Sequence, residues 1–138
     1  MTPRVQLLEG SDLTELKLRA RALGGASRSY CEPYALVAWH DGPVGVDIER
    51  VLPCGTRFAE SITTPDERDR MALDDDREII SLWSGKEALA KALGDALAYD
   101  PRRLDAPAGW PDGVNGAWRA SALELPDHYV GWLCWQER

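Results

Sequence analysis

The sequence predicts an α+β protein that folds as a single domain. From residue 44 onward the expected order is strand, three helices and two strands, which is not the regular alternation of a parallel α/β fold. The length of 138 residues suits one domain with its own core. No internal repeat or low-complexity linker divides the chain. We therefore treat residues 1–138 as one domain, with a short N-terminal part (1–43) and a motif-bearing core (44–138).

The N-terminal part is expected to contain one helix and one strand. The segment "SDLTELKLRARALGG" (11–25) predicts a helix that has Ser11 or Asp12 as its N-cap and that stops at two glycines. The segment "YALVAWHDGPVGVDIE" (34–49) predicts two strands around a turn at 41–43. The first strand is the last element of the N-terminal part, and the second strand is the first element of the core.

The core is expected to contain three helices, a loop rich in proline and glycine, and two closing strands. Its second helix has the clearest start, because Thr64 as N-cap and Glu67 three residues later match a capping box. Gly94 is the expected end of the third helix. The expected ranges are 56–62, 64–73 and 77–93 for the helices, about 100–116 for the loop, and 117–125 and 128–135 for the strands.

Composition narrows the functional class. The formal charge of −7 argues against a nucleic-acid binder, because a phosphate backbone demands a broad basic surface. No apolar run is long enough to span a membrane. The start of the chain lacks the apolar segment of a secretory signal, and the three cysteines have no zinc-finger spacing. These features predict a cytoplasmic protein with reduced thiols.

One segment departs from the acidic balance of the chain. Residues 17–28 contain four basic residues and no acidic one; the basic residues are Lys17, Arg19, Arg21 and Arg28. Two interpretations stay open. The segment is either the solvated face of a helix or a basic arm that grips phosphate.

The strand "VGVDIE" (44–49) carries two carboxylates on one face. Because side chains alternate along a strand, its three branched apolar residues share one face, while Gly45, Asp47 and Glu49 share the other. We expect Asp47 to lie outside the core, beside a glycine that lets a ligand approach the backbone. The alternative is an ordinary acidic face on the outside of a strand.

The helix "REIISLWSGKEALAKALG" (77–94) places charges within its apolar stripe. At about 100° per residue, the stripe consists of Ile79, Leu82, Trp83, Leu89, Ala90 and Leu93. Lys86 projects near its middle, Glu87 projects beside it, and Lys91 follows one turn later. A charge in such a stripe is costly unless it is paired with an opposite charge or binds a ligand. A polar cleft explains the pattern most simply; the alternatives are a buried Lys–Glu pair and a lysine that extends past its neighbours to water.

The strand and the helix together predict a metal site. Asp47, Glu49 and Glu87 supply three hard oxygen ligands, which suit Mg²⁺, a cation that completes its coordination with water and substrate phosphate. Lys86 and Lys91 are placed to meet phosphate oxygens. The predicted substrate is a diphosphate, and the predicted chemistry is transfer of a phospho group.

The same residues resemble the signature of the 4′-phosphopantetheinyl transferases. In that family G-[VI]-D-[IV]-E is followed by [FW]-[STC]-x-K-E-[AS]-x-x-K, and this chain has "VGVDIER" at 44–50 and "WSGKEALAKALG" at 83–94. The match is closer to the surfactin-type branch, which commonly has W-x-x-K-E. The segment "TTPDER" also places Glu67 where that branch often has an acid, although the capping box explains this residue sufficiently.

The resemblance implies a 4′-phosphopantetheinyl transferase-like β-α(3)-β(2) fold and a reaction. The phosphopantetheine arm of coenzyme A would pass, with Mg²⁺ or alternatively Mn²⁺, to a serine of an acyl- or peptidyl-carrier protein, and 3′,5′-ADP would leave. This chemistry serves polyketide or nonribosomal peptide biosynthesis. Asp47, Glu49 and Glu87 would hold the metal, and Glu87 would help to deprotonate the serine. Lys91 would neutralise the diphosphate, with Lys86 as a weaker phosphate contact.

The chain departs from the surfactin-type pattern in two places. That branch has a Ser-His-Ser stretch whose histidine contacts coenzyme A, whereas this chain has Ser29-Tyr30-Cys31; we expect Ser29 and Tyr30, with the neighbouring Arg28, at coenzyme A. Enzymes of the branch are also two similar halves around one site, and here the N-terminal part is short. A homodimer or other homo-oligomer is therefore expected to supply the second wall, with Trp132 or Trp135 outside the monomer core.

Two other functional classes stay open. The chain could be a degenerate or repurposed member of the fold that binds coenzyme A or a carrier protein without transfer, or that catalyses a different reaction. A metal-dependent nuclease would also combine acids with lysine. The net charge opposes a nuclease, as does the position of Lys86 and Glu87 on a helix rather than on a strand.

Overall fold

The structure is a computed structural model that describes residues 1–137. It consists of two antiparallel sheets, and its longest helix packs against the second of them. In chain order the elements are β1 (Arg4–Glu9), α1 (Leu13–Ala22), β2 (Ser27–Cys31), β3 (Tyr34–Trp39), β4 (Val44–Arg50), α2 (Thr56–Ile62), α3 (Pro65–Arg70), α4 (Asp76–Leu93), β5 (Val114–Asn115), β6 (Trp118–Ala122) and β7 (Tyr129–Gln136). This arrangement confirms the predicted α+β class.

The N-terminal part forms a complete small sheet rather than one helix and one strand. Its strand order is β1-β3-β2, and α1 covers one face through Leu16 and Ala20. The helix α1 begins after Asp12, whose side chain accepts a hydrogen bond from the Thr14 amide, as expected for an N-cap. The strands β1 and β2 were not expected, because β1 buries only Leu8 and β2 is mostly polar.

The two strands around the 41–43 turn are confirmed, but they belong to different sheets. Strand β3 pairs with β1 and β2, whereas β4 pairs with β7 in a second sheet of order β4-β7-β6-β5. The apolar face of β4, which includes Val46 and Ile48, packs with Leu36 of β3 in a core between the sheets. The strand that carries the acidic residues therefore lies in the middle of the molecule.

Helix α4 crosses the other face of β4 at very close range. A Cβ atom added to Gly45 would overlap the backbone oxygen of Ala88 and would lie 2.7 Å from the backbone nitrogen of Ala92. Only glycine permits this approach. The expectation that Gly45 makes room for a ligand is therefore wrong, because the helix occupies that space.

The local signals for the helices are confirmed. Thr64 and Glu67 form the capping box of α3, and Gly94 ends α4 in the left-handed conformation with φ of 78°. The predicted apolar stripe of α4 is buried except at Trp83, which is partly buried, and Leu93, which is 48% exposed. The loop after α4 folds into short 3-10 turns between residues 101 and 113.

Side chains join the two sheets along a seam between β2 and β4. The hydroxyl oxygens of Ser27 and Ser29 accept hydrogen bonds from the backbone amides of Val46 and Ile48, both at 3.1 Å. From α4, Lys91 Nζ donates to the carbonyl oxygens of Val46 and Arg28 at 2.9 and 3.2 Å. These contacts satisfy backbone groups on the β4 edge that faces away from β7.

Both tryptophans proposed for an interface pack inside the chain. Trp135 is 7% exposed, and Trp132 packs against α4 while its Nε1 donates to Ser81 Oγ at 3.1 Å. The expectation that one of them lies outside the monomer core is wrong for Trp135, whereas Trp132 is partly buried and keeps some exposed surface. All three cysteines are free thiols, as expected. Within the described residues, no helix combines the length and apolar character that crossing a membrane requires.

Candidate active site

Asp47 lies at the centre of the molecule, on the face of β4 that α4 covers. It is 4% exposed, so the expectation that it lies outside the core is wrong. The reason is the close packing of α4 on Gly45, which encloses the next residue on the same face. Any ligand must therefore reach Asp47 from the edge of this packing.

The two oxygens of the Asp47 carboxylate have different surroundings. Oδ1 accepts a hydrogen bond from Ser29 Oγ at 3.3 Å and lies 3.5 Å from Lys91 Nζ. Oδ2 is buried, and no amide, hydroxyl or ammonium group in residues 1–137 donates to it; the Glu49 carboxyl, which contacts the Asp47 carboxyl, is a donor to that carboxyl only in its protonated form. Ser84 Oγ meanwhile donates to the Asp47 backbone oxygen at 3.4 Å. A buried carboxylate oxygen without a donor is costly, and a cation would remove that cost.

Glu49 and Glu87 add negative charge beside Asp47. Burial raises the pKa of Glu49 to about 9, and contact with the Asp47 carboxyl and the charge of Glu87 act in the same direction. Burial also raises the pKa values of Asp47 and Glu87; the Asp47 charge raises the latter further. Lys91 is the cation that opposes these shifts. The site thus contains more acidic groups than the single positive charge of Lys91 can neutralise.

The three carboxylates are neighbours but do not form a closed metal centre. Among residues 1–137, no three acidic, histidine or cysteine side chains converge closely enough to hold a metal ion. The structure brings the carboxyls of Asp47 and Glu49 into contact and leaves Glu87 within electrostatic reach. The donor set still fits a hard divalent cation, because its ligands are carboxylates and no amide, hydroxyl or ammonium group of the described residues donates to Asp47 Oδ2.

The structure does not place Lys86 where it could contact phosphate. Its side chain is completely buried, and Nζ donates to Glu67 Oε1 at 2.6 Å and to the carbonyl oxygens of Ile62 and Pro101 at 2.6 and 2.8 Å. Burial lowers the pKa of Lys86, while the Glu67 carboxylate opposes that shift. The phosphate role expected for Lys86 is therefore wrong, and the alternative of a buried Lys–Glu pair is what the structure contains.

Glu67 is equally committed to the fold. Its Oε1 also accepts from the Thr64 amide at 2.9 Å, and its Oε2 accepts from the Ala106 amide at 2.8 Å. The side chain is 6% exposed. Because both of its oxygens accept hydrogen bonds, Glu67 links α3, α4 and the following loop, and it is not free to bind a metal.

The residues expected at coenzyme A separate into two groups. Arg28 and Lys91 line an open cavity of about 480 Å³ at the end of α4, next to the Asp47 carboxylate. Ser29 is buried, with its hydroxyl bound to Asp47. Tyr30 lies on the α1 side of the small sheet, where its ring centroid is 5.5 Å from Lys17 Nζ. Neither Ser29 nor Tyr30 lines the cavity.

The basic segment 17–28 is mostly a helix face. Arg19 donates to the Glu9 carbonyl oxygen at 2.8 Å, and Lys17 lies over the ring of Tyr30. Of its four cations, Arg28 lines the cavity with Lys91. The interpretation as a solvated helix face therefore fits most of the segment, and the phosphate-gripping interpretation fits Arg28.

Sequence reasoning missed Tyr99. Its buried hydroxyl lies beside the Glu87 carboxylate without a hydrogen bond of regular geometry, and its ring stacks on Trp83 at 6.4 Å between centroids. Burial and the Glu87 charge raise the pKa of Tyr99, so the phenol stays protonated. No local pattern marks this residue, because it lies in the irregular loop after α4.

The fold and the site together define a candidate for phospho-group transfer, with clustered carboxylates and a lysine beside an open cavity. The model of the 4′-phosphopantetheinyl transferase superfamily matches residues 43–119, which run from β4 through α4 into β6. The chain belongs to the 4′-phosphopantetheinyl transferase superfamily, which confirms the resemblance.

A curated relative agrees with this assignment. The chain is 32% identical over 104 residues to the 4′-phosphopantetheinyl transferase psf-1 of Bacillus pumilus. The aligned region is 72% of this chain and 42% of that protein. The chain thus spans well under half the length of the relative it matches.

Proposed function

We propose that the protein transfers the 4′-phosphopantetheine arm of coenzyme A to a serine of an acyl- or peptidyl-carrier protein. In this reaction the serine oxygen bonds to the β-phosphorus of coenzyme A, the bond from that phosphorus to the bridging oxygen breaks, and 3′,5′-ADP leaves. Family membership supports the class of reaction. One observation carries the assignment to this site: within residues 1–137 the buried Asp47 Oδ2 has no amide, hydroxyl or ammonium donor, and it lies among further carboxylates.

Each residue of the site has a role in this proposal. Asp47 and Glu49 would hold Mg²⁺, and Glu87 would become the third ligand only by moving toward them, because the three carboxylates do not converge in the structure. A bound Mg²⁺ would supply charge neutralisation and orientation of the diphosphate. Glu87 would accept the proton of the serine hydroxyl, a role suited to a carboxylate whose pKa burial has raised. Lys91 and Arg28 would bind phosphate oxygens in the cavity they line.

A transfer assay tests the proposal. The protein is incubated with Mg²⁺, coenzyme A and several apo carrier proteins, and the carriers are weighed by mass spectrometry. We expect at least one carrier to gain one phosphopantetheine group, with an equal amount of 3′,5′-ADP released. No mass gain on any carrier, with coenzyme A bound, would instead support the second candidate.

The second candidate is a member of the superfamily that binds coenzyme A or a carrier protein without transfer, or that catalyses a different reaction. The observation in its favour is that the three carboxylates do not converge on one metal position within residues 1–137. It predicts coenzyme A binding that does not respond to Mg²⁺ or Mn²⁺. A calorimetric titration with and without each cation separates the two candidates.

We also propose that the protein acts in the cytoplasm and that it self-associates. Within the described residues, the outer edge of β1 has no strand partner; Leu7 on this strand is 38% exposed, and Leu18 on the neighbouring helix α1 is 61% exposed. An unpaired edge with apolar side chains favours pairing with a second copy. Light scattering at micromolar concentration should give a dimeric or larger mass, and a monomeric mass with full activity would contradict the proposal that a second copy supplies one wall of the site.

A further inference from the structure

Ser29 connects the backbone of β4 to the carboxylate of Asp47. Its side chain is 5% exposed, and its oxygen accepts a hydrogen bond from the Ile48 amide at 3.1 Å. The same hydroxyl donates to Asp47 Oδ1 at 3.3 Å. A hydroxyl has a single proton, and here the amide approaches the oxygen as donor, so the proton is available to the carboxylate.

Ser27 performs the first of these tasks without the second. It lies two residues earlier on the same face of β2, is 9% exposed, and accepts from the Val46 amide at the same distance of 3.1 Å. Its hydroxyl makes no hydrogen bond to a carboxylate within residues 1–137. The chain therefore contains a matched pair of serines that differ in their contact with Asp47.

The contact determines which Asp47 oxygen is left for a cation. Ser29 Oγ and Lys91 Nζ both lie at Oδ1, at 3.3 and 3.5 Å, while no amide, hydroxyl or ammonium group in the described residues donates to Oδ2. Two donors on one oxygen fix the rotation of the carboxylate about the Cβ–Cγ bond of Asp47. With Oδ1 held against the seam, Oδ2 is the oxygen that remains to bind a cation.

We infer that Ser29 is a positioning residue, which orients the Asp47 carboxylate for metal binding instead of contacting coenzyme A. This inference rests on the proposed function, because it assumes that the acidic cluster binds a divalent cation. It replaces the coenzyme A contact that the sequence suggests for Ser29. When a group that hydrogen-bonds to a metal ligand without touching the metal is removed, metal affinity typically falls by roughly 10- to 100-fold.

The test compares Ser29→Ala with Ser27→Ala in metal binding and in stability. Mn²⁺ alone is titrated into each protein, and the free ion is followed by electron paramagnetic resonance. Thermal unfolding of the metal-free proteins is measured in parallel. Both variants lose one hydroxyl that caps a β4 amide, and Ser29→Ala also removes a donor from Asp47, so we expect a somewhat larger loss of melting temperature for Ser29→Ala. Ser29→Ala should bind Mn²⁺ at least about tenfold more weakly, whereas Ser27→Ala should stay within about threefold of wild type.

The outcomes separate this inference from the proposed function. Equal Mn²⁺ affinity in the two variants, with tight binding by wild type, overturns the role of Ser29 and leaves the proposed function standing. Wild-type protein that binds no Mn²⁺ overturns both. If Ser29→Ala does not fold, the near-isosteric pair Ser29→Cys and Ser27→Cys is measured instead against the same thresholds, because a thiol is a weak donor that preserves the packing.

Discussion

Removing the ammonium group of Lys86 should destabilise the fold and leave the coenzyme A site intact. In Lys86→Met the alkyl stem remains, but Glu67 Oε1 and the carbonyl oxygens of Ile62 and Pro101 lose a donor at 2.6 to 2.8 Å. Breaking a buried pair from one side typically costs about 3–5 kcal/mol. Because Glu67 keeps the amide donors of Thr64 and Ala106, we expect the low end, about 3 kcal/mol.

Urea unfolding followed by tryptophan fluorescence measures this loss, and calorimetry measures coenzyme A affinity in the same samples. The double variant Lys86→Met/Glu67→Gln removes the unpaired buried charge but sets its side-chain NH2 group against a backbone amide donor, so it should recover at most a small part of the stability. Lys91→Met is the matched control: its side chain is 26% exposed and lines the cavity, so it should weaken coenzyme A binding more than Lys86→Met does. Wild-type stability with lost coenzyme A affinity in Lys86→Met would refute the structural role and restore the phosphate contact.

Three further predictions follow from the same geometry. In the metal-free protein Glu49 is protonated at neutral pH because its pKa is raised to about 9, and a cation needs the ionised form; Mg²⁺ affinity should therefore rise between pH 6 and pH 9, with proton release that calorimetry in two buffers detects. A Mg²⁺ affinity that falls with rising pH would contradict this. Glu87→Gln should lower turnover by roughly 10²- to 10⁴-fold while coenzyme A affinity changes much less. Equal losses of turnover and of coenzyme A affinity in a steady-state assay would argue against Glu87 as the base. Gly45→Ala should lower the melting temperature sharply because its Cβ meets the α4 backbone, whereas Gly55→Ala, which has open space, should not; similar circular-dichroism melts for both would count against the close packing.

The parts of the fold that sequence predicted well are those with local causes. The capping box at Thr64, the stop at Gly94 and the apolar period of α4 are set by residues a few positions apart. The strands β1 and β2 have no such signal: they become strands because both pair with β3, and β2 carries the serines of the seam. Long-range pairing overrides weak local propensity there.

The residues of the candidate site were likewise predicted where a local motif marks them and missed where their role depends on tertiary contacts. Asp47, Glu49, Glu87 and Lys91 were identified from two motifs, and the structure brings them to one region. The role expected for Lys86 was wrong because its partner Glu67 is 19 residues away, and helical position alone cannot show which cations are paired. The burial of Asp47 was missed for a related reason, since it depends on how closely α4 approaches β4.

Ser29 and Tyr99 show the limit of a motif. The assignment of Ser29 to coenzyme A came from its place in a three-residue stretch, but its hydroxyl is occupied by the Ile48 amide and Asp47. Tyr99 lies in a loop and reaches Glu87 through the fold, so no sequence spacing marks it. Both roles follow from side-chain direction, which a strand or loop assignment does not provide.

Calorimetric titration of coenzyme A into the wild type and into Asp47→Asn, with and without Mg²⁺, tests whether the Asp47 carboxylate binds the metal that coenzyme A requires. The asparagine keeps the shape of a side chain that is 4% exposed while removing its charge, so the fold should persist, and unfolding curves verify this. We expect Mg²⁺ to strengthen coenzyme A binding to the wild type and to have no effect on the variant. The same Mg²⁺ dependence in both proteins would contradict the assignment of the metal site to the acidic residues of β4.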